Sequence, residues 1–477
     1  MLMAGENVDV VVIGGGPAGM TAALRAGDLG AKTVLVTRDS FGGMAANDGP
    51  VPVRTLAHAA RLLRDARQLG RYGISVAEPM LDYTRLLARV NDVVEEVRAH
   101  STFRAQLNDV GVVVNERCGI ARFTGSNTLE TESGMRLRAD KFIICTGGTS
   151  RRLSVPGAEY CATHSDAWGL TEVPTSMMVI GGGATGAQVA SVFNAFGSKI
   201  QLFHSGPRIL PTEDEEVSAA VATAFHDSGI EVRENFGAIE SFQKTSHGVR
   251  MFFSKDERRE STEATLAVLA IGWAANTADL NLDHVGVEVD TRDFVRVDEY
   301  QRTSAPHVFA AGDVTGTMML VPQAIQEGFV AATNAVRGAT MKAIKGAAPI
   351  GSFTDPEYAQ VGLTEEQGRT KGEVVVAKIQ FDSTTRTIID GRTKGFCKLI
   401  VDCRTRQILG CHVVGERAVE IAQVAAVAMS GSMRVDDLAQ VPLSFPTYAG
   451  VLGRVAAQVT RQLNLKLDWQ ASQIEGS

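Results

Sequence analysis

Two segments of this chain repeat one order of strand, glycine turn, helix and strand, and that repetition limits the possible folds more than any other feature. In the first, Val10-Val11-Val12-Ile13 is a short β-branched run suited to a buried parallel strand. Gly14-x-Gly16-x-x-Gly19 follows at once, an Ala/Leu-rich helix runs on to Gly30, and Thr33-Val34-Leu35-Val36 forms the next strand. In the second, Met177 to Ile180 precedes Gly181-x-Gly183-x-x-Gly186, a helix reaches Gly197, and Lys199 to Phe203 is the following strand. The copies lie about 165 residues apart, so they are not a short-period repeat. One such glycine motif is a weak signal. Two, each placed between a strand and a helix, predict two dinucleotide-binding domains, because the glycines let a pyrophosphate approach the helix N-terminus.

A length of 477 residues suggests roughly three domains. From about Gly351 the pattern changes. Val374 to Ile379, Phe396 to Val401 and Ile408 to Val414 read as strands, and Arg417 to Ser430 as an amphipathic helix. This predicts an appended α+β domain. Between the first glycine unit and the second, two helical stretches are expected. In the later one Leu86, Val90, Val93 and Val97 recur at helical spacing, which core packing explains. The residues after about Leu467 are polar and are expected to fray.

The composition, 44% hydrophobic and 21% charged, is that of a globular protein. A net charge of −7 without a long basic run argues against nucleic acid as a partner. The six cysteines, Cys118, Cys145, Cys161, Cys397, Cys403 and Cys411, form neither C-x-x-C nor a zinc spacing, so no metal site is expected. They read as free thiols, which suit a reducing cytoplasm. The first apolar run is too short for a signal peptide and leads straight into glycines. No stretch reaches the length of a bilayer span.

The strand ends bear on which nucleotide each unit takes, since an acidic residue there receives ribose hydroxyls. The first unit ends in Thr37-Arg38-Asp39, with a hydroxyl where the carboxylate is expected. The second ends in His204-Ser205, with Arg208 soon after. A missing carboxylate with an arginine nearby leans toward NADPH. The alternative is that Arg208 is a surface cation and the site accepts NADPH or NADH.

Further motifs lie between and beyond the glycine turns. They are Gly42-Gly43, Cys145-Thr146-Gly147-Gly148, Ala270-Ile271-Gly272 with Asn276, Val308 to Asp313, and Glu327-Gly328. Later come Phe353-Thr354-Asp355-Pro356, Val361-Gly362-Leu363-Thr364, Gly395 to Leu399 and Ile408-Leu409-Gly410. With them the chain resembles, over nearly its whole length, the class I pyridine nucleotide-disulfide oxidoreductases, which include dihydrolipoamide dehydrogenase, glutathione reductase and mercuric reductase. The resemblance implies an α/β fold with two Rossmann-type dinucleotide-binding domains and a C-terminal α+β dimerisation domain. It implies a discontinuous FAD domain over 1–155 and 285–347, an NAD(P) domain over 156–284, a dimerisation domain over 348–468 and a polar tail over 469–477.

The resemblance also implies roles. FAD would meet Gly14, Gly16, Pro17, Ala18 and Gly19 at the turn, and Thr37 and Arg38 at the strand end. It would also meet Gly42, Gly43, Arg54, Thr146, Gly147, Gly312 and Ala324, while Asp313 would hydrogen-bond its ribityl chain. The nicotinamide coenzyme, NADPH or NADH, would meet Gly181, Gly183, Ala184, Thr185, Gly186 and Gln188. His204, Ser205, Arg208 and Gly272 would complete its site. Ala184 is small where glutathione reductase has a tyrosine gate, so flat acceptors would find the pocket open.

The departures from the family pattern carry the most information. Where the family places two cysteines five residues apart, this chain has Ala45 and Pro50. Neither can attack sulfur. The lysine near the flavin becomes Arg54, and its glutamate partner becomes Gln188. The C-terminal histidine base becomes Phe445 and its orienting acid Gly450, and phenylalanine cannot move a proton. Tyr448 nearby is a poor base with a usual pKa near 10, and packing at a dimer interface explains it. The reading that results is an FAD-dependent NAD(P)H oxidoreductase of a small electron acceptor, diaphorase- or quinone-reductase-like, without disulfide reductase activity. A soluble transhydrogenase and a non-catalytic or sensory flavoprotein are the alternatives.

Overall fold

A computed structural model describes residues 7–100, 102–344 and 348–467. The polar tail expected over 469–477 lies outside them. The chain divides into two compact units, one drawn from 1–56, 82–151 and 272–345, the other from 57–81, 152–271 and 346–477.

The first unit is built on a seven-stranded sheet. Val113–Asn115, Thr33–Val36, Asn7–Ile13 and Arg136–Ile144 lie side by side and parallel. Val308–Ala310 pairs in parallel with the end of Arg136–Ile144. The other half of that long strand turns antiparallel, to Thr128–Thr131 and then Ala121–Gly125. Alternate side chains serve opposite faces. Val11 and Ile13 join one apolar core with Val34 and Val36, whereas Val10 and Val12 join another beneath the helices. Helix Pro17–Asp28 crosses helix Val321–Arg337 closely enough that a Cβ at Gly328 would sit 2.2 Å from the Ala18 carbonyl oxygen.

The second unit holds a five-stranded parallel sheet, ordered Glu231–Glu234, Lys199–His204, Ser176–Ile180, Leu266–Leu269 and Ala162–Thr163. An antiparallel meander, Ala238–Lys244, Val249–Lys255 and Arg258–Ala264, is inserted before its fourth strand. The C-terminal part is a five-stranded antiparallel sheet, ordered Ile350–Ser352, Tyr358–Gly362, Ile408–Val414, Phe396–Asp402 and Val374–Gln380. Helices Ala418–Ser430 and Gly450–Gln462 bury Ile421, Ala425, Leu452 and Val455 against it.

Two local expectations need correction. The C-terminal helix begins at Ala418, because Arg417 takes a left-handed conformation, φ 61°, and stands outside it as the N-cap. In helix Tyr83–His100 the buried stripe is Tyr83, Val90 and Val94, whereas Val97 is 44% exposed. The step from Tyr83 to Val90 is close to two helical turns and that from Val90 to Val94 close to one, so these three share a face; Val97 shares it too by spacing but lies in the last turn, where the face is open to solvent. No helix among the described residues is long and apolar enough to cross a membrane.

Candidate functional site

Strand Asn7–Ile13 delivers the chain to Gly14, whose φ of 112° is open to glycine. A Cβ there would lie 2.1 Å from the Cys145 carbonyl oxygen. Gly16 then caps helix Pro17–Asp28 in an extended conformation with no side-chain cap, and the first turn holds no acid. The first N–H groups of the helix are thus left for an outside acceptor, and the helix dipole favours an anion there. A Cβ on Gly16 would meet only the Gly43 Cα, at 3.8 Å. The Gly42 N–H donates to the Gly15 carbonyl at 2.9 Å, which seats Gly42-Gly43 against the turn. Thr37 is buried against Gly15 at the strand end, and Arg38 is exposed and paired with Asp39. The cradle therefore fits a pyrophosphate.

Asn276 staples the next loop by donating from Nδ2 to the carbonyls of Thr146 and Gly148, while Thr146 Oγ1 donates to its carbonyl. Gly147 is left with open space beside it. Across the unit, Gly312 turns the chain at φ 79° into Asp313, and its N–H donates to Glu327 Oε2 at 2.8 Å. Glu327 is 2% exposed and also accepts from Thr317 and Gln323. Sequence reasoning noted Glu327 within a motif but missed this role, which only the approach of its helix creates. Burial, followed by the neighbouring Glu327 charge, pushes the Asp313 carboxyl up to about 6. Native flavin-free protein therefore holds its Asp313 proton at a pH where the unfolded chain has lost it. Its stability should fall as pH rises from about 4 to about 6, by on the order of 1–3 kcal/mol. Urea unfolding across that range should show the fall, and Asp313→Asn should flatten it.

The resemblance puts the family's two cysteines at Ala45 and Pro50. Ala45 lies half-buried in the short helix Gly43–Asn47, and Pro50 opens helix Pro50–Ala66, on which Arg54 is exposed. Elsewhere the thiols are poorly disposed to react. All six are free, and all but Cys403 are buried. Burial raises Cys118, Cys145, Cys397 and Cys403 above the usual thiol range and pushes Cys161 up to about 12. For Cys397 a hydrogen bond with Cys411 is the larger cause. In the C-terminal segment Phe445 is 54% exposed, and Tyr448 donates to Asp390 Oδ2 at 2.9 Å. Burial and then that bond hold the Tyr448 hydroxyl well above its ordinary range, so it is no base.

The second glycine turn repeats the first almost angle for angle. Gly181 has φ 112° and its Cβ would lie 2.2 Å from the Ala270 carbonyl oxygen. Gly183 caps helix Ala184–Ala195 with no side-chain cap and has nothing within 4 Å of a would-be Cβ. Gly186 packs on the Gly181 carbonyl. Ala184 is exposed, and Thr185 and Gln188 are half-buried on the same helix. His204 Nδ1 accepts the Gly182 N–H at 3.3 Å, and burial lowers its pKa, so the ring is neutral. Ser205 is exposed. Arg208 turns inward, with Nη2 donating to the Pro211 carbonyl at 3.4 Å and Nη1 buried beside Glu213 without a hydrogen-bond partner. Gly272, φ 105°, falls within the first unit. No group of three or more His, Cys, Asp and Glu among the described residues is placed to hold a metal ion.

Comparison with known proteins follows the same division. The family model described as pyridine nucleotide-disulphide oxidoreductase matches residues 8–328, and the dimerisation-domain model of that family matches 348–456. A dihydrolipoyl dehydrogenase of Thermus scotoductus is 32% identical over 467 residues, 96% of this chain and 98% of that protein. One from Zymomonas mobilis is 32% identical over 437 residues, covering 89% and 91%. A Bacillus cereus mercuric reductase is 30% identical over 446 residues, covering 93% of this chain and 70% of that protein. Among solved structures, the HOCl-induced flavoprotein disulfide reductase RclA from Escherichia coli matches with a TM-score of 0.83 at 24% identity, over 94% of this chain and all of that one. That likeness shows the fold.

Proposed function

The chain belongs to the pyridine nucleotide-disulphide oxidoreductase family, whose members use FAD and NAD(P)H, and on that premise we propose that it is an FAD-dependent NAD(P)H oxidoreductase whose acceptor is a small quinone-like molecule and not a disulfide. The observation that carries this reading is the pair Ala45 and Pro50, with Phe445 in the segment where the family has its base. Bound flavin supplies the electron transfer, from a reduced nicotinamide to the acceptor.

The chain's own residues bind and orient. Gly14, Gly16 and Gly19, with Gly42 and Gly43, leave room for the FAD pyrophosphate, and Asp313 offers a carboxyl to a hydroxyl of the ribityl chain. Thr37 is offered to the adenosine ribose. Arg54 supplies a positive charge near the flavin. Gly181, Gly183 and Gly186 serve the coenzyme in the same way. A neutral His204 followed by Ser205 puts no carboxylate against a 2′-phosphate, so both coenzymes fit and NADPH is at least as good a reductant as NADH. Arg208 must leave Pro211 and Glu213 to take part. Residues 348–468 form the dimerisation domain of a homodimer. The division into FAD residues 1–155 and 285–347 and coenzyme residues 156–284 belongs to the same proposal.

An anaerobic titration of the flavin-loaded protein with NADPH and with NADH, followed at the flavin absorbance band, tests it. Bleaching is expected with both, at least as fast with NADPH. Flavin that stays oxidised with either coenzyme would overturn the proposal.

A further inference from the structure

A cavity of about 380 Å³ opens in the second unit, far along the sequence from either glycine turn. Its volume lies within the roughly 300–1,000 Å³ of small-molecule sites. Arginines dominate its wall. Arg61 and Arg64 come from helix Pro50–Ala66, Arg71 from the turn that follows, and Arg392 from the loop before strand Phe396–Asp402. Three of these guanidinium groups crowd one another. Burial, and then the charges of Arg392 and Arg61, hold Arg64 below its ordinary pKa, against the pull of Asp355.

The acids in the wall are already engaged. Arg64 pairs with Asp355 at 2.9 Å, Arg61 with Glu357 and Glu416, Lys394 with Asp227 at 2.8 Å, and Arg392 with Asp65 and, at 3.9 Å, Glu416, which leaves part of its guanidinium to face the cavity. Arg71 has no acid. Its one contact among the described residues is to the Gly391 carbonyl, at 3.5 Å. Gln68 and Thr393 also line the cavity, and their side chains have no hydrogen-bond partner among the described residues. A cation would find its carboxylates taken, whereas an anion would find the Arg71 guanidinium without an acid, two free polar groups and five cations set against four acids.

We propose that this cavity binds a compact dianion, a phosphoryl or sulfuryl group, through Arg64, Arg71 and Arg392 with Gln68 and Thr393 as further donors. Planar guanidinium groups suit such oxyanions because each offers paired N–H donors. Glu357 tunes the site. It is faced by Arg61 from the helix, by Glu416 and Arg417 from the turn after strand Ile408–Val414, and by Glu420 from the next helix. Asp355, Arg64 and Arg392 share its cavity. Burial and the Glu416 charge push its carboxyl up to about 7. As pH falls through 7 Glu357 loses its charge while Arg61 stays paired with Glu416, and the cavity gains net positive charge.

Sulfate is the probe, because it remains a dianion from pH 6 to 8. Titration calorimetry on the flavin-loaded protein, at constant ionic strength set with chloride, should show saturable binding about tenfold tighter at pH 6 than at pH 8. Glu357→Gln should bind at pH 8 as the parent does at pH 6. Arg71→Glu, at an exposed position that threatens no core, should weaken binding at least tenfold. Glycerol phosphate run beside sulfate identifies the source. Tighter binding of the ester means an organic phosphate fills the cavity, and equal binding means the free anion does. No saturable binding beyond what chloride produces, or affinity unchanged in Arg71→Glu, would overturn the site.

Discussion

Purified, flavin-loaded protein should reduce ferricyanide or a small quinone with NADPH while leaving lipoamide and glutathione disulfide untouched. The disulfide rate should be lower by roughly a thousandfold or more, since a missing proton-transfer group alone is worth about 10²–10⁴. Disulfide exchange begins with a thiolate on sulfur. Ala45 and Pro50 hold no sulfur, and the thiols that remain are misplaced for the work. Cys145 lies beneath the first glycine turn, fully protonated by burial and by the nearby Glu327 charge. Cys397 and Cys411 sit inside the C-terminal core. The departing thiol would also need a proton, and Phe445 has none to give. Steady-state assays with both acceptor classes decide the matter. Disulfide turnover that persists after every cysteine is changed to serine would show that the mechanism is wrong. A single cysteine restored at position 45 should not rescue it, because the second sulfur would still be absent.

The parts of the fold legible in the sequence were those written in local chemistry. Thr33–Val36 and Ile408–Val414 begin and end where the residue pattern places them. Strand Asn7–Ile13 starts three residues before its apolar run, because Asn7, Val8 and Asp9 alternate between solvent and core and carry no continuous signal. The glycine turns could be read because only glycine satisfies both the positive φ and the 2 Å approach of a carbonyl. Partnerships across long sequence distances could not be read. Glu327 reaches Gly312 because two elements of the first unit pack, and Arg61 meets Glu416 from 355 residues away. The inward turn of Arg208 was equally hidden, because its position three residues after Ser205 says nothing about where a flexible side chain points.

Lys398→Met should be the most damaging single change in the second unit, costing about 3–5 kcal/mol, the usual consequence of stripping one partner from a buried ion cluster. Lys398 is 2% exposed, and its ammonium lies 3.0 Å from Asp214, 2.6 Å from Glu365 and 3.3 Å from Glu216. It cannot share the work with His412, its neighbour across the strand pair, because burial keeps that imidazole neutral. Asp214 meanwhile caps helix Glu215–Asp227 through the Glu216 N–H and accepts the Glu365 N–H, so the loss would spread to the helix start. The sign of the pH dependence follows. Burial alone would raise the Asp214 and Glu365 carboxyls, but the Glu365 N–H on Asp214 and the ammonium on both more than offset it. In the parent this stabilisation is complete above the unfolded carboxylate pKa and lost as pH falls through the lower folded values. Without the ammonium both carboxyls rise, take up protons earlier, and cease to repel. The deficit of Lys398→Met should therefore be largest at pH 8 and shrink toward pH 5, as read from urea unfolding at each pH. Adding Asp214→Asn and Glu365→Gln should recover most of the loss at pH 8, since the charges left behind are its cause. A Lys398→Met protein as stable as its parent at pH 8 would mean that water, not the ammonium, satisfies these carboxylates.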